Sequence, residues 1–163
     1  MEKNDTGGIL NGAMFIVTLC LGALFAMGGA LELYTVILLT TQGQWPALAA
    51  EYASLYPDTL ASATSFALFY AFTIFCALCS LVYGVLMLVS VRRPLHRAVV
   101  VGGALMMLLT VVLYFDTAAK LYTQQIDFPW RSIAYYGVAI ACGAYQWRRR
   151  AASRAKPDAK PEN

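Results

Sequence analysis

Between Leu60 and Val91 the chain carries no charged side chain. An α-helix rises about 1.5 Å per residue and crosses the hydrocarbon of a bilayer in about 20 apolar residues. This run alone is therefore long enough to span a membrane. Three further apolar segments, Gly12–Thr41, Leu95–Tyr122 and Trp130–Trp147, are separated from it and from one another by stretches with Pro, Gln or charge. The pattern predicts an all-α integral membrane protein, a bundle of four transmembrane helices over residues 1–150, followed by a disordered basic tail over 151–163. Composition agrees, because 60% hydrophobic and 13% charged residues is too apolar a mixture for a soluble domain of this size. The first apolar segment exceeds the short hydrophobic region of a cleavable signal peptide, so it is expected to be a span of the mature protein.

The basic residues orient these spans. Arg92, Arg93 and Arg97 cluster in one short connection, and Arg148, Arg149, Arg150, Arg154, Lys156 and Lys160 follow the fourth span. Lys and Arg flanking membrane spans favour the cytoplasmic side, which places both termini in the cytoplasm for an even number of spans. The opposite connections hold Glu51, Asp58 and Asp127 and no Lys or Arg. The first of them has room for a short interfacial helix opened by Pro46 and stopped by Pro57, with Leu48, Tyr52, Leu55 and Tyr56 on one face. Short loops and an Ala-rich, Arg-flanked build suggest a bacterial inner membrane. The lipid bilayer is thus the first expected partner. Nucleic acid is not expected, because the basic residues flank spans and form no stripe with interleaved aromatics.

Ionisable residues within the spans are the candidates for function. An acid or a lysine at mid-span costs about 2.5–3.5 kcal/mol on insertion scales, so such groups turn inward and often mark a site. Glu32 lies in the first span, Asp116 and Lys120 near the end of the third, and Arg131 opens the fourth. All four fall toward the outer side, and their charges sum to zero. Asp116 and Lys120 are four apart with the acid first, the favourable order for a helical ion pair. Three readings remain open at this stage. The cluster fixes helix register, with Lys120 snorkelling to the headgroups; or it forms an outward-facing polar pocket, lined also by Tyr34, Tyr114, Tyr122 and Gln124, for a small polar ligand, a lipid headgroup or a proton; or it makes a lateral contact with a larger membrane partner.

Lipid gives helices no hydrophobic reason to associate, so small residues carry the packing signal. Gly22, Ala26 and Ala30 recur at four-residue spacing in the first span, Ala67 with Ala71 and Ser80 with Gly84 in the second, and Gly137 with Ala141 and Ala139 with Gly143 in the fourth. Cys76 and Cys79 form a Cys-x-x-Cys pair that would suit redox or soft-metal chemistry, but their mid-span depth favours packing. The single histidine, His96, excludes a bis-histidine haem and is expected as a solvated loop residue. No cofactor and no metal are expected, and no phosphate-binding loop or nucleophile motif is present in the sequence.

Small four-span drug exporters also carry a glutamate in the first helix, and membrane thiol oxidases combine four helices with a Cys-x-x-Cys. The chain resembles each in that one feature, and no family follows from either. The expected function is that of a small polytopic membrane protein without catalysis of its own, an accessory, assembly or ligand-sensing component of a larger membrane complex or homo-oligomer. The alternatives are a transporter or proton-coupled carrier using Glu32 and Asp116, and a membrane enzyme acting on lipid or quinone.

Overall fold

A computed structural model describes residues 5–47, 49–50, 63–120 and 128–154. It contains four long helices: α1 (Asp5–Thr41), α2 (Ala63–Ser90), α3 (His96–Lys120) and α4 (Trp130–Arg154). Three of them hold stretches long and apolar enough to cross a membrane, Gly8–Thr41, Tyr70–Ser90 and His96–Phe115, which fits a multi-pass membrane protein. The helix over Trp130–Trp147 forms as expected and continues to Arg154. Arginine and alanine are strong helix formers, and cations are favoured at a helix C-terminus. The turn that follows α1 passes through Gly43, whose φ of 65° is open to glycine at little cost. The helical turn at 45–47 opens where Pro46 predicts one, and most of the remaining segment to Pro57 lies outside the described residues. So does the basic tail beyond Arg154.

Each helix packs antiparallel to the next, α1 on α2, α2 on α3 and α3 on α4, and α4 closes back on α1. The α1–α2 seam is the tightest. A methyl group added at Gly84 would collide with the backbone of Ala26, and one at Gly29 would stand 2.5 Å from the Ala77 carbonyl oxygen. Such approach of backbones is open only to residues without a Cβ at the crossing. The working face is Gly22, Ala26 and Gly29. Ala30 is exposed and takes no part, because the buried stripe follows the 3.6-residue period and not a strict step of four. On α2, Ser80 and Gly84 face the seam, and the Ser80 hydroxyl donates to the Phe25 carbonyl at 3.2 Å, whereas Ala67 and Ala71 are exposed. On α4, Ala139 and Gly143 are buried, while Gly137 meets nothing within 4 Å.

The core lies where all four helices meet. Leu21 and Phe25 of α1, Tyr83 and Met87 of α2, Val99 and Met106 of α3, and Tyr136 and Ala139 of α4 form one cluster. Phe25 stacks on Tyr136 with ring centres 4.9 Å apart and meets Tyr83 at 5.4 Å and 59°. Both are favoured aromatic arrangements. Tyr83 reaches across to α3, where its hydroxyl donates to the Val99 carbonyl at 3.3 Å, so a buried polar atom is satisfied where no water is at hand.

Candidate functional site

The antiparallel order gives the helix array two chemically distinct ends. One holds the start of α1, the α2–α3 turn and the end of α4, with Arg92, Arg93, Arg97 and Arg148 to Arg150. The other holds the end of α1, the start of α2, the end of α3 and the start of α4, with Glu32 and an aromatic collar of Trp45 on Tyr70, Tyr114 on Phe128, and Phe128 on Trp130, ring centres 4.5–4.8 Å apart.

At the collar end, Glu32 lies seven and eleven residues after Phe25 and Leu21, on the helix face that builds the core. It lies beyond the last close crossing at Gly29, and its side chain is exposed. The pairings of Asn11 with Tyr145 and Phe25 with Tyr136 put Glu32 level with the first turn of α4, where Trp130 and Arg131 are both exposed. Gly28, one turn below Glu32, has open space where a Cβ would be. Tyr34, two residues on and so about 200° round the helix, points away from Glu32 and is 60% exposed. Tyr114 is half-buried and packs edge-on against Phe128. The backbone of α3 runs through Asp116 and Lys120, but their side chains, and hence the expected ion pair, lie outside the described residues.

Cys76 and Cys79 are half-buried free thiols. Cys79 packs against the core cluster. Among the described residues no grouping of His, Cys, Asp and Glu is arranged to hold a metal ion.

The other end holds what the sequence reading did not anticipate. α1 and α4 are joined by a polar seam. Gln146 Nε2 donates to Thr18 Oγ1 at 3.2 Å, the Thr18 hydroxyl donates to the Met14 carbonyl at 2.8 Å, and the Tyr145 hydroxyl donates to Asn11 Oδ1 at 3.4 Å. Cys142 Sγ lies 3.4 Å from Met14 Sδ. The signal is present in the chain: Asn11, Met14 and Thr18 share one helix face, as do Cys142, Tyr145 and Gln146. Uncharged polar residues are simply quieter than the charges that drew the eye to Glu32 and Asp116.

His96 is the clear correction. Expected as a solvated loop residue, it is only 5% exposed, and its Nδ1 is buried without a hydrogen-bond partner. The cause is the tightness of the α2–α3 turn. Arg92 and Arg93 both donate backbone N–H bonds to the Val89 carbonyl, at 3.0 and 2.9 Å, and Leu95 donates to Arg93 at 2.8 Å. His96 thereby becomes the first residue of α3, next to α4, whose Gly143 lies against Val99 and Val100. Beside it, the Arg97 guanidinium lies over the Trp147 ring at 4.8 Å, a favourable cation–π distance.

Comparison with protein-family models, with curated proteins and with solved structures yields no match.

Proposed function

We propose that the chain is a four-span inner-membrane protein with both termini in the cytoplasm, acting as an accessory or assembly component that receives a partner transmembrane segment at the collar end of α1. The fourth span is α4. Its Trp130 and Trp147 stand about 26 Å apart along the helix, close to a hydrocarbon thickness, and amphipathic rings at such a spacing behave as interfacial anchors. The orientation rests on the nine Lys and Arg of the α2–α3 turn and the C-terminal segment named above.

The observation that carries the partner reading is Glu32 beside Gly28. A carboxylate stands at the surface of the helix array, one turn from a glycine with nothing against it, and among the described residues no ion pair or hydrogen bond engages it. A neighbouring helix could approach α1 closely at Gly28 and set a donor against Glu32, as small and polar residues do at membrane interfaces. Purification from native membranes in mild detergent tests this. A copurifying membrane protein should be lost on Glu32→Gln and on Gly28→Leu while the abundance of the chain itself is unchanged. Recovery of the wild type only as a lone monomer would refute the reading. A carrier function is the competing outcome, because Glu32 lies on the face of α1 that builds the core. It would show as proton-coupled flux in proteoliposomes of the purified chain, abolished by Glu32→Gln and Asp116→Asn.

A further inference from the structure

Two clefts open at the basic end and share a wall made of His96 and Arg150. One, of about 320 Å³, lies between α1 and α4 and includes Gln146 and Arg149. The other, of about 430 Å³, runs beside the α2–α3 turn and includes Arg97 and Trp147. Both are of ligand-binding size. Among the described residues no carboxylate lines either of them, so the positive potential is not cancelled locally.

Two sources of positive character converge there, beside a buried histidine. The guanidinium groups of Arg149 and Arg150 offer forked donors matched to phosphate oxygens. α3 begins at His96, and the first amide to bond back into the helix is that of Val99, to Leu95 at 3.1 Å. The amides of His96, Arg97 and Ala98 precede the intrahelical ladder, and Leu95 has no side-chain oxygen to cap them, so the helix presents donors and the positive end of its dipole. His96 is more than nine-tenths buried and has an unpartnered ring nitrogen. That nitrogen is closed off from both clefts, so the arginines and the helix start are what face a ligand.

We infer that the clefts around His96 and Arg150 bind a phosphate group, that of an anionic phospholipid headgroup in the leaflet facing this end. Phosphate is the anion that suits a helix start together with arginine forks. Lipid is favoured over free phosphate because the α1–α4 cleft also has apolar walls. Met14, Phe15 and Val91 line it, and Phe15 is exposed toward the surrounding membrane, so acyl chains can continue along α1 from a headgroup seated on the arginines. Basic pockets between spans on the cytoplasmic side are known headgroup sites. Only the assignment to the cytoplasmic leaflet rests on the orientation proposed above. The site itself does not depend on the partner reading at Glu32.

Trp147 lies in one cleft, whereas Trp45 and Trp130 are at the opposite end. The full chain carrying Trp45→Phe and Trp130→Phe therefore reports the site by fluorescence. In detergent, titration with dihexanoyl phosphatidylglycerol should give a saturable change in Trp147 emission, and dihexanoyl phosphatidylcholine should give none. Arg150→Gln should weaken binding about tenfold, the loss expected for one charge-assisted contact. Arg92→Gln removes the same charge from the exposed turn outside both clefts and should change binding less than about twofold. Arg149→Gln, at an exposed position, should weaken binding in the same sense as Arg150→Gln and keeps the test valid should Arg150→Gln fail to fold. No saturable response, or equal losses with Arg92→Gln and the cleft variants, would overturn the site. A response to inorganic phosphate at concentrations equal to those of the lipid would overturn its assignment to lipid.

Discussion

α1 meets its two neighbours by opposite means. Against α2 it places Gly22, Ala26 and Gly29, and at Gly29 and at Gly84 of α2 the facing atoms are backbone. Against α4 it places Asn11, Met14 and Thr18, and side chains span the gap with hydrogen bonds and a sulfur contact. The first seam has no slack, since even a methyl group at Gly84 meets backbone. The second leaves a cleft at its basic end. Close backbone crossing fixes where two helices lie, and a seam of longer polar side chains tolerates a space beside it. The candidate sites lie away from the glycine crossings: at Glu32, beyond Gly29, and at the basic end along α4.

That contrast can be broken by substitution. Gly84→Val should be the most damaging single change, costing about 3 kcal/mol or more, at the upper end of overpacking costs because backbone cannot move aside. Unfolding in mixed micelles would measure it, and a loss under about 1 kcal/mol would mean that the α1–α2 seam is not rigid. Met87→Ala, which empties a fully buried position, should cost about 2–4 kcal/mol in the same assay. The polar seam should respond more mildly. In a double-mutant cycle of Thr18→Val and Gln146→Leu the coupling should be about 0.6 kcal/mol, the usual worth of such bonds in membranes. A coupling above about 2 kcal/mol would make the α1–α4 seam as decisive as the glycine seam. An effect of similar size should be favourable in sign. Gly137→Ala meets open space and should stabilise α4 by about 0.5–1 kcal/mol through helix propensity.

Much of the fold is legible in the chain because apolar runs of span length leave few alternatives. The run Leu60–Val91 emerges as Ala63–Ser90, and Leu95–Tyr122 as His96–Lys120. α1 begins earlier than Gly12, because the preceding Thr-Gly-Gly-Ile-Leu-Asn stretch has no proline to stop a helix. Faces are harder to read than spans. Gly28, Gly29 and Ala30 are adjacent and equally small, yet only Gly29 packs, since about 100° of rotation separates each from the next. The basic end was illegible for a different reason. Hydropathy marks Arg149 and Arg150 as flanks of a span, and only the tight turn after Ser90 brings His96 under them.

The lengths of the helices set one further condition. The apolar part of α1, Gly8–Thr41, has 34 residues and measures about 51 Å, against a hydrocarbon layer of about 30 Å. Tilt within the usual range, up to about 40°, removes only a quarter of that length, so α1 suits a thick bilayer or stands proud of a thin one. α4 as a span has Arg131 and Arg148 closing its apolar stretch to about 26 Å, and thick bilayers would draw those cations inward. With α4 spanning as proposed, acyl-chain length would act on the two helices in opposite senses, and no single membrane thickness would satisfy both.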